Sequence, residues 1–153
     1  MSQEDIIESF GELLVADNYP PIAGKILGLF YTSNAKYLTF EEIKEGISVS
    51  KSATSKALTF LYTLNEVSYI YDENNSRLRL FYLDIKGSID RFNSILNAYT
   101  VQTTLLKEIQ KTRNNENEEL NGFIEKSIAF NEEATVYMKQ KLEFHYKEYL
   151  KEK

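Results

Sequence analysis

The chain has 153 residues, 42% of them hydrophobic, with a formal net charge of −5 and no cysteine. That length and apolar content allow a real core, as one compact unit or a small domain with an extension, and the lack of cysteine excludes disulfide staples and thiolate metal sites. The longest apolar run is too short to cross a bilayer and the opening MSQEDIIESF is acidic rather than basic-then-apolar, so a cytoplasmic protein without membrane span or secretion signal is expected.

The acidity is unevenly placed. Residues 1–20 carry −5, residues 21–66 carry +1, residues 67–84 carry −1, and the remainder is balanced. Residues 3–17 set Ile6, Ile7, Phe10, Leu13 and Leu14 at helical spacing on this acidic background. Asn18-Tyr19-Pro20-Pro21 ends that helix and starts another, because proline is tolerated in a first turn and not in an interior. The next helix, residues 21–33, is strongly apolar. Its Gly24 and Gly28 lie four apart, so another helix can approach its backbone closely or a bulky neighbour can sit over them.

Thr39 to Leu64 carries the most information. Thr39 precedes Glu42 at capping-box spacing, which predicts a helix start and a short helix turning Phe40, Ile43 and Ile47 inward. Ile47-Ser48-Val49 makes a corner, and Ser50 caps a second helix over residues 50–64. Thr54, Ala57, Leu58, Leu61 and Leu64 form its buried stripe. Ser50 at its start, with Lys51, Ser52, Ser55, Lys56 and Thr59, gives the other side short hydroxyls and two cations. Such a face fits a DNA major groove, with the lysines meeting phosphates; a plainly solvated helix has the same composition.

Val67 to Tyr71 and Leu78 to Leu83 are β-branched and aromatic runs, separated by the turn-forming Asp72-Glu73-Asn74-Asn75-Ser76. They predict a two-stranded β-hairpin over residues 67–83, which after a helix-turn-helix makes a winged helix. Arg77 and Arg79 alternate onto one face of the returning strand, placed to reach DNA backbone or minor groove, or to cover tyrosine rings.

From Ile85 the pattern becomes long helix. Ile85, Ile89, Phe92, Leu96 and Tyr99 make one stripe, continued by Leu105, Leu106 and Ile109. Asn114-Asn115-Glu116-Asn117 interrupts it, and a second stripe runs through Leu120, Phe123, Ile124, Ile128, Ala134, Met138, Leu142 and Tyr149. Roughly thirty residues of helix extend ~45 Å, too far for a small body to cover their apolar stripe. The expectation is therefore a homodimer. The domain reading is 1–84 for the N-terminal helix and winged helix-turn-helix, and 85–153 for a helical dimerisation region.

Catalytic constellations are missing from the sequence. His145 is the single histidine and is expected on the surface or the dimer face; Glu118-Glu119 and Glu132-Glu133 point to different sides of a helix. There is no phosphate-binding glycine loop, no metal-ligand spacing and no nucleophile elbow. The reading is of a non-enzyme with no cofactor and no metal.

PPIAGKILGLFY, then LTFEEIKEGISVSKSATSKALTFLYTL, then VSYIY…RLRLFYL together resemble the GbsR branch of the MarR-type winged-helix transcriptional regulators. The glycine-spaced helix matches at Ala23 to Gly28, the Ser-Lys-small-x-x-Ser helix start at Ser50 to Ser55, and the wing strand at Arg77, Arg79 and Tyr82. Residues 20–83 agree in register, the helical tail more loosely. Ser48 and Ser52 stand where family members often have glycine, and Asp72 and Glu73 leave the wing short of positive charge.

The resemblance implies a dimer whose two recognition helices address double-stranded DNA at half-sites about one turn, ~34–36 Å, apart. It also implies a small-molecule effector, or a partner, that shifts the angle between the wings. The GbsR branch is associated with quaternary-amine osmolytes, and ring faces attract such cations. Phe10, Tyr31, Phe92 and Tyr99 lie near the expected junction, but aromatic residues at helical spacing are usually core, and that is the expectation for these four. The weakly basic face and acidic balance support one alternative, a winged-helix protein-interaction module with weak or no DNA binding.

Overall fold

Ser2 opens the first helix, α1 (Gln3–Leu13), through a reciprocal cap: its hydroxyl accepts the Asp5 N–H, and the Asp5 carboxylate accepts the Ser2 N–H at 2.8 Å. A short 3-10 helix, Leu14–Asp17, follows, and Asn18 turns the chain with left-handed backbone angles. The computed structural model describes residues 1–150. These form two compact units, Met1–Gly87 and the residues from Ser88 onward.

In the first unit α2 (Pro21–Thr32) is the central rod, with Ala23 and Ile26 wholly buried. Its glycines permit the contact with α1. A Cβ on Gly24 would stand 2.5 Å from the Phe10 carbonyl oxygen, and one on Gly28 would stand 3.0 Å from the Ile7 Cα. Lys25 closes the same seam with an ion pair to Glu8 at 2.9 Å.

Next come β1 (Leu38–Thr39), α3 (Phe40–Ile47), α4 (Lys51–Thr63), β2 (Val67–Asp72) and β3 (Asn75–Leu83). Thr39 and Glu42 form the expected capping box. Ile43, Ile47, Ala57, Leu58, Leu61, Val67 and Phe81 join the core laid down by α2. Buried Thr54 spends its hydroxyl on the Ser50 carbonyl at 2.9 Å, so its place in that core leaves no unmet polar atom.

The fold is a winged helix-turn-helix, as the sequence led us to expect, with one addition. The hairpin is not two strands alone. Leu38–Thr39 pairs antiparallel with β3 at Phe81 and Leu80, giving a three-stranded sheet of order β1-β3-β2.

Two long helices follow, α5 (Ile85–Thr112) and α6 (Glu118–Leu150). Asp84 caps α5 by accepting the Gly87 N–H at 2.8 Å. Within the second unit α5 and α6 run antiparallel. Lys107 pairs with Glu132 at 2.7 Å, the Lys139 ammonium reaches the Thr100 hydroxyl at 3.5 Å, and Leu96 packs with Leu142. At the tip Arg113 donates to the Asn121 side-chain oxygen at 2.6 Å, and the Asn121 amide returns a bond to the Asn114 carbonyl.

The buried seam of this hairpin is narrow. It takes one residue in seven from α5, namely Ile89, Leu96 and Thr103, and Ile124, Thr135 and Leu142 from α6. Half of the residues in the two apolar stripes stay exposed within the chain, namely Ile85, Phe92, Tyr99, Leu105, Ile109, Leu120, Phe123 and Met138, in line with the expectation that the chain does not cover them by itself. The four junction aromatics depart from the core expectation. Phe10 is half-buried against Tyr31 (ring centroids 5.4 Å apart), and Tyr31, Phe92 and Tyr99 are exposed. Among the described residues no helix is long and apolar enough to cross a membrane.

Candidate nucleic-acid interface

The exposed side of α4 is set by its two caps. The Ser50 hydroxyl accepts the Ala53 N–H at 3.1 Å and starts the helix, and Ser48, with φ 53° and ψ 49°, swings the chain out of α3. The buried stripe Thr54–Ala57–Leu58–Leu61 then fixes the rotation of α4 about its axis. Lys51, Ser52, Ser55, Lys56 and Thr59 are all exposed in consequence. Among the described residues neither lysine makes an ion pair, so both ammonium groups are open to an external anion.

The hairpin stands beside this helix. Tyr69 is opposite Phe81 and Tyr71 opposite Arg79, so these four side chains share one face of the sheet. Near the strand ends that face closes the core through Phe81; farther out it opens to solvent at Tyr71 and Arg79. The Arg79 guanidinium lies 5.2 Å from the Tyr69 ring centroid and 5.0 Å from that of Phe81. Of the two roles read for this arginine, covering aromatic rings is the one seen, and the side chain remains exposed. Arg77 is exposed nearer the turn, where its backbone N–H donates to the Asn75 side chain. The turn closes through Asp72, whose carboxylate accepts the Asn74 N–H at 3.1 Å.

Helix and hairpin meet in one shallow cleft of about 200 Å³. Ser55, Thr59 and Tyr62 come from α4, and Tyr69, Arg79 and Phe81 from the sheet. Of the residues singled out from sequence, Ser55, Thr59 and Arg79 are brought together here. Lys51, Ser52 and Lys56 lie along the same helix toward its start, and Arg77 toward the hairpin turn. Ser50 serves the helix as its cap.

Sequence reasoning passed over the tyrosines. Tyr62 follows Ser55 and Thr59 at intervals of four and three on the exposed face, and its ring contacts Tyr69 at 5.5 Å. Tyr71, two residues from Tyr69, completes an aromatic row with a centroid distance of 5.7 Å. The spacing that marked Ser55 and Thr59 would have marked Tyr62, had large aromatic rings not been credited to the core by habit. Among the described residues no group of three or more His, Cys, Asp or Glu is placed to hold a metal ion, and His145 is exposed on α6.

Helix, turn, helix and wing thus define a winged-helix protein with an exposed, hydroxyl-rich second helix. No protein-family model matches the chain, and no curated protein sequence does. Solved structures do. A crystal structure of a transcriptional regulator superposes with a TM-score of 0.67 at 12% identity, covering 94% of this chain and 97% of that one. Apo MarR from E. coli aligns at 20% identity, 81% and 86% coverage and a TM-score of 0.44. The F27L mutant of S. aureus MepR bound to an oligodeoxyribonucleotide aligns at 19% identity, 82% and 88% coverage and a TM-score of 0.46. The first of these likenesses establishes the shared fold over nearly the whole of both chains.

Proposed function

We propose that the chain is a dimeric, sequence-specific DNA-binding transcriptional regulator of the MarR type, resembling the GbsR branch in its glycine-spaced helix, its Ser-Lys helix start and its wing strand. One observation carries the reading: the open face of α4 and the outer face of the hairpin form a single concave surface bearing Ser55, Thr59 and Arg79, with unpaired Lys51 and Lys56 on the same helix. A helix with short side chains can enter the major groove while cations at its start and on the wing meet the backbone. The solved structure of the same fold is that of a transcriptional regulator, although a fold by itself transmits no function.

In this proposal residues 1–84 are the DNA-binding domain and residues 85–153 the dimerising region. The apolar surface left open on α5 and α6, with Phe123, Phe130 and Phe144 each at least 66% exposed, supports a second copy as its cover. A small-molecule effector, or a partner, acts on this dimer by shifting the angle between its two wings.

The test is a gel shift with the DNA upstream of the chain's own gene. Wild-type protein retards it, and Lys51→Ala with Lys56→Ala weakens retardation and flattens its salt dependence, the slope falling by about 0.9 for each phosphate no longer neutralised. An unchanged slope removes α4 from the groove. No retardation even at low salt, with a protein partner co-purifying, favours the interaction-module reading.

A further inference from the structure

A groove reader with this few cations must draw affinity from something else. Four positive side chains border the surface in each subunit, Lys51, Lys56, Arg77 and Arg79, with Asp72 and Glu73 at the hairpin turn against them. Even if every cation of a dimer neutralised one phosphate, the slope of log affinity against log salt would be no steeper than about −7.

The cleft and the sheet face just beyond it hold a second kind of donor. Tyr62 is 50% exposed and Tyr71 54% exposed, and among the described residues no hydrogen bond uses either phenol. Tyr19 shows the contrast within the same chain, since it is buried and gives its phenol proton to Glu66 at 2.7 Å. Two large rings left half open, with their polar ends unspent, are poor candidates for packing alone. Both are held in place from below: Tyr62 leans at a tilt on Tyr69, Tyr71 meets Tyr69 edge-on, and Arg79 lies over the Tyr69 ring. Tyr69 is thus a common base that fixes two phenol-bearing rings and one guanidinium beside the outward face of α4.

Resting on the regulator reading, we propose that Tyr62 and Tyr71 donate hydrogen bonds to DNA phosphates next to Arg79, so that part of the affinity comes from neutral donors that displace no counterion. Hydroxyl donors to a phosphate oxygen are charge-assisted and short, and they position the duplex without adding to the salt slope. Tyr69 is a positioning residue that acts through the other three.

The experiment separates the two kinds of contact. A fluorescein-labelled duplex recovered by selection from a random pool is titrated by anisotropy across a salt series. It is tested against wild type, Tyr62→Phe with Tyr71→Phe, and Lys51→Ala. The phenylalanine pair keeps the rings, and circular dichroism checks that melting is unchanged. We expect it to weaken binding about tenfold or more with the salt slope unaltered, whereas Lys51→Ala lowers the slope. Full affinity in the phenylalanine pair overturns the proposal and leaves the regulator reading standing. A reduced slope in that pair overturns it as well, because the hydroxyls would then act by placing Arg79. A wild-type protein that recovers and binds no duplex overturns both readings.

Discussion

Replacing Gly24 with alanine sets two terms against each other. In an open helix the change favours alanine by about 1 kcal/mol. In α2 the new Cβ would stand 2.5 Å from the Phe10 carbonyl oxygen and 2.9 Å from the Gly11 Cα. Both are backbone atoms of α1, so no rotamer change relieves the overlap and the two helices must part by several tenths of an ångström. Overpacking of that kind costs about 1–3 kcal/mol, which leaves a net loss of up to about 2 kcal/mol once the propensity gain is subtracted, toward the upper end here because both overlapping atoms are backbone. Gly122 in α6 supplies the control, because a Cβ there meets nothing within 4 Å and Gly122→Ala gains the helix term alone. For a chain of this size 1 kcal/mol moves the melting midpoint by roughly 2–4 °C. Thermal and urea unfolding followed by circular dichroism should therefore shift in opposite directions for the two variants. A Gly24→Ala protein as stable as wild type would show that α1 and α2 are not in backbone contact, and the close-approach argument would be wrong.

Other consequences are open to equally direct measurement. Ser48 holds left-handed angles that cost a non-glycine residue about 1–2 kcal/mol, while glycine adds about 0.4–1 kcal/mol of unfolded-state entropy. Ser48→Gly should thus raise the urea midpoint by the equivalent of about 0.5–1 kcal/mol, and a lower midpoint would contradict the strain argument. Hydrogen bonds from the backbone and then the side chain of Ser2 hold the Asp5 carboxyl below its ordinary value of 3.8. A depressed folded value means the cap contributes fully above 3.8 and is lost as pH falls below it; an NMR titration placing Asp5 at or above 3.8 would be incompatible with the cap. If a second copy covers the tail, sedimentation equilibrium should find a dimer that Phe130→Glu with Phe144→Glu dissociates. A wild-type monomer at micromolar concentration would remove the dimer from the proposal.

Local chemistry explains what could be read in advance. The α3 and α4 starts were legible because Thr39–Glu42 and Ser50 act through bonds made within one turn, and the hairpin because Asp72–Asn75 has no use except as a turn. The strand Leu38–Thr39 was not, since two residues have no alternation and their pairing depends on where β3 ends up. In the tail, apolar spacing marked faces that some partner could cover, but not which residues the α5–α6 seam itself would bury, Ile89, Leu96 and Thr103 from α5 and Ile124, Thr135 and Leu142 from α6. Thr103 and Thr135 escaped notice as core because a hydroxyl reads as polar; each is satisfied by a carbonyl four residues earlier in its own helix, Tyr99 and Asn131 respectively. In and beside the cleft, Ser55 and Thr59 were found by their size, and Tyr62 and Tyr71 were missed by theirs.

Glu66, three residues after α4 ends, is gripped twice. Its carboxylate takes the Tyr19 phenol proton, and its carbonyl takes the Asp84 N–H at 3.0 Å, where β3 has just finished. The second helix and the hairpin beside it are therefore pinned at a common root and braced again where Tyr62 leans on Tyr69. Neither can flex against the other without breaking one of these ties. If the pair reads DNA as proposed, a duplex that does not match their fixed angle would itself have to bend, and sequences that kink cheaply would be preferred at base pairs no side chain touches.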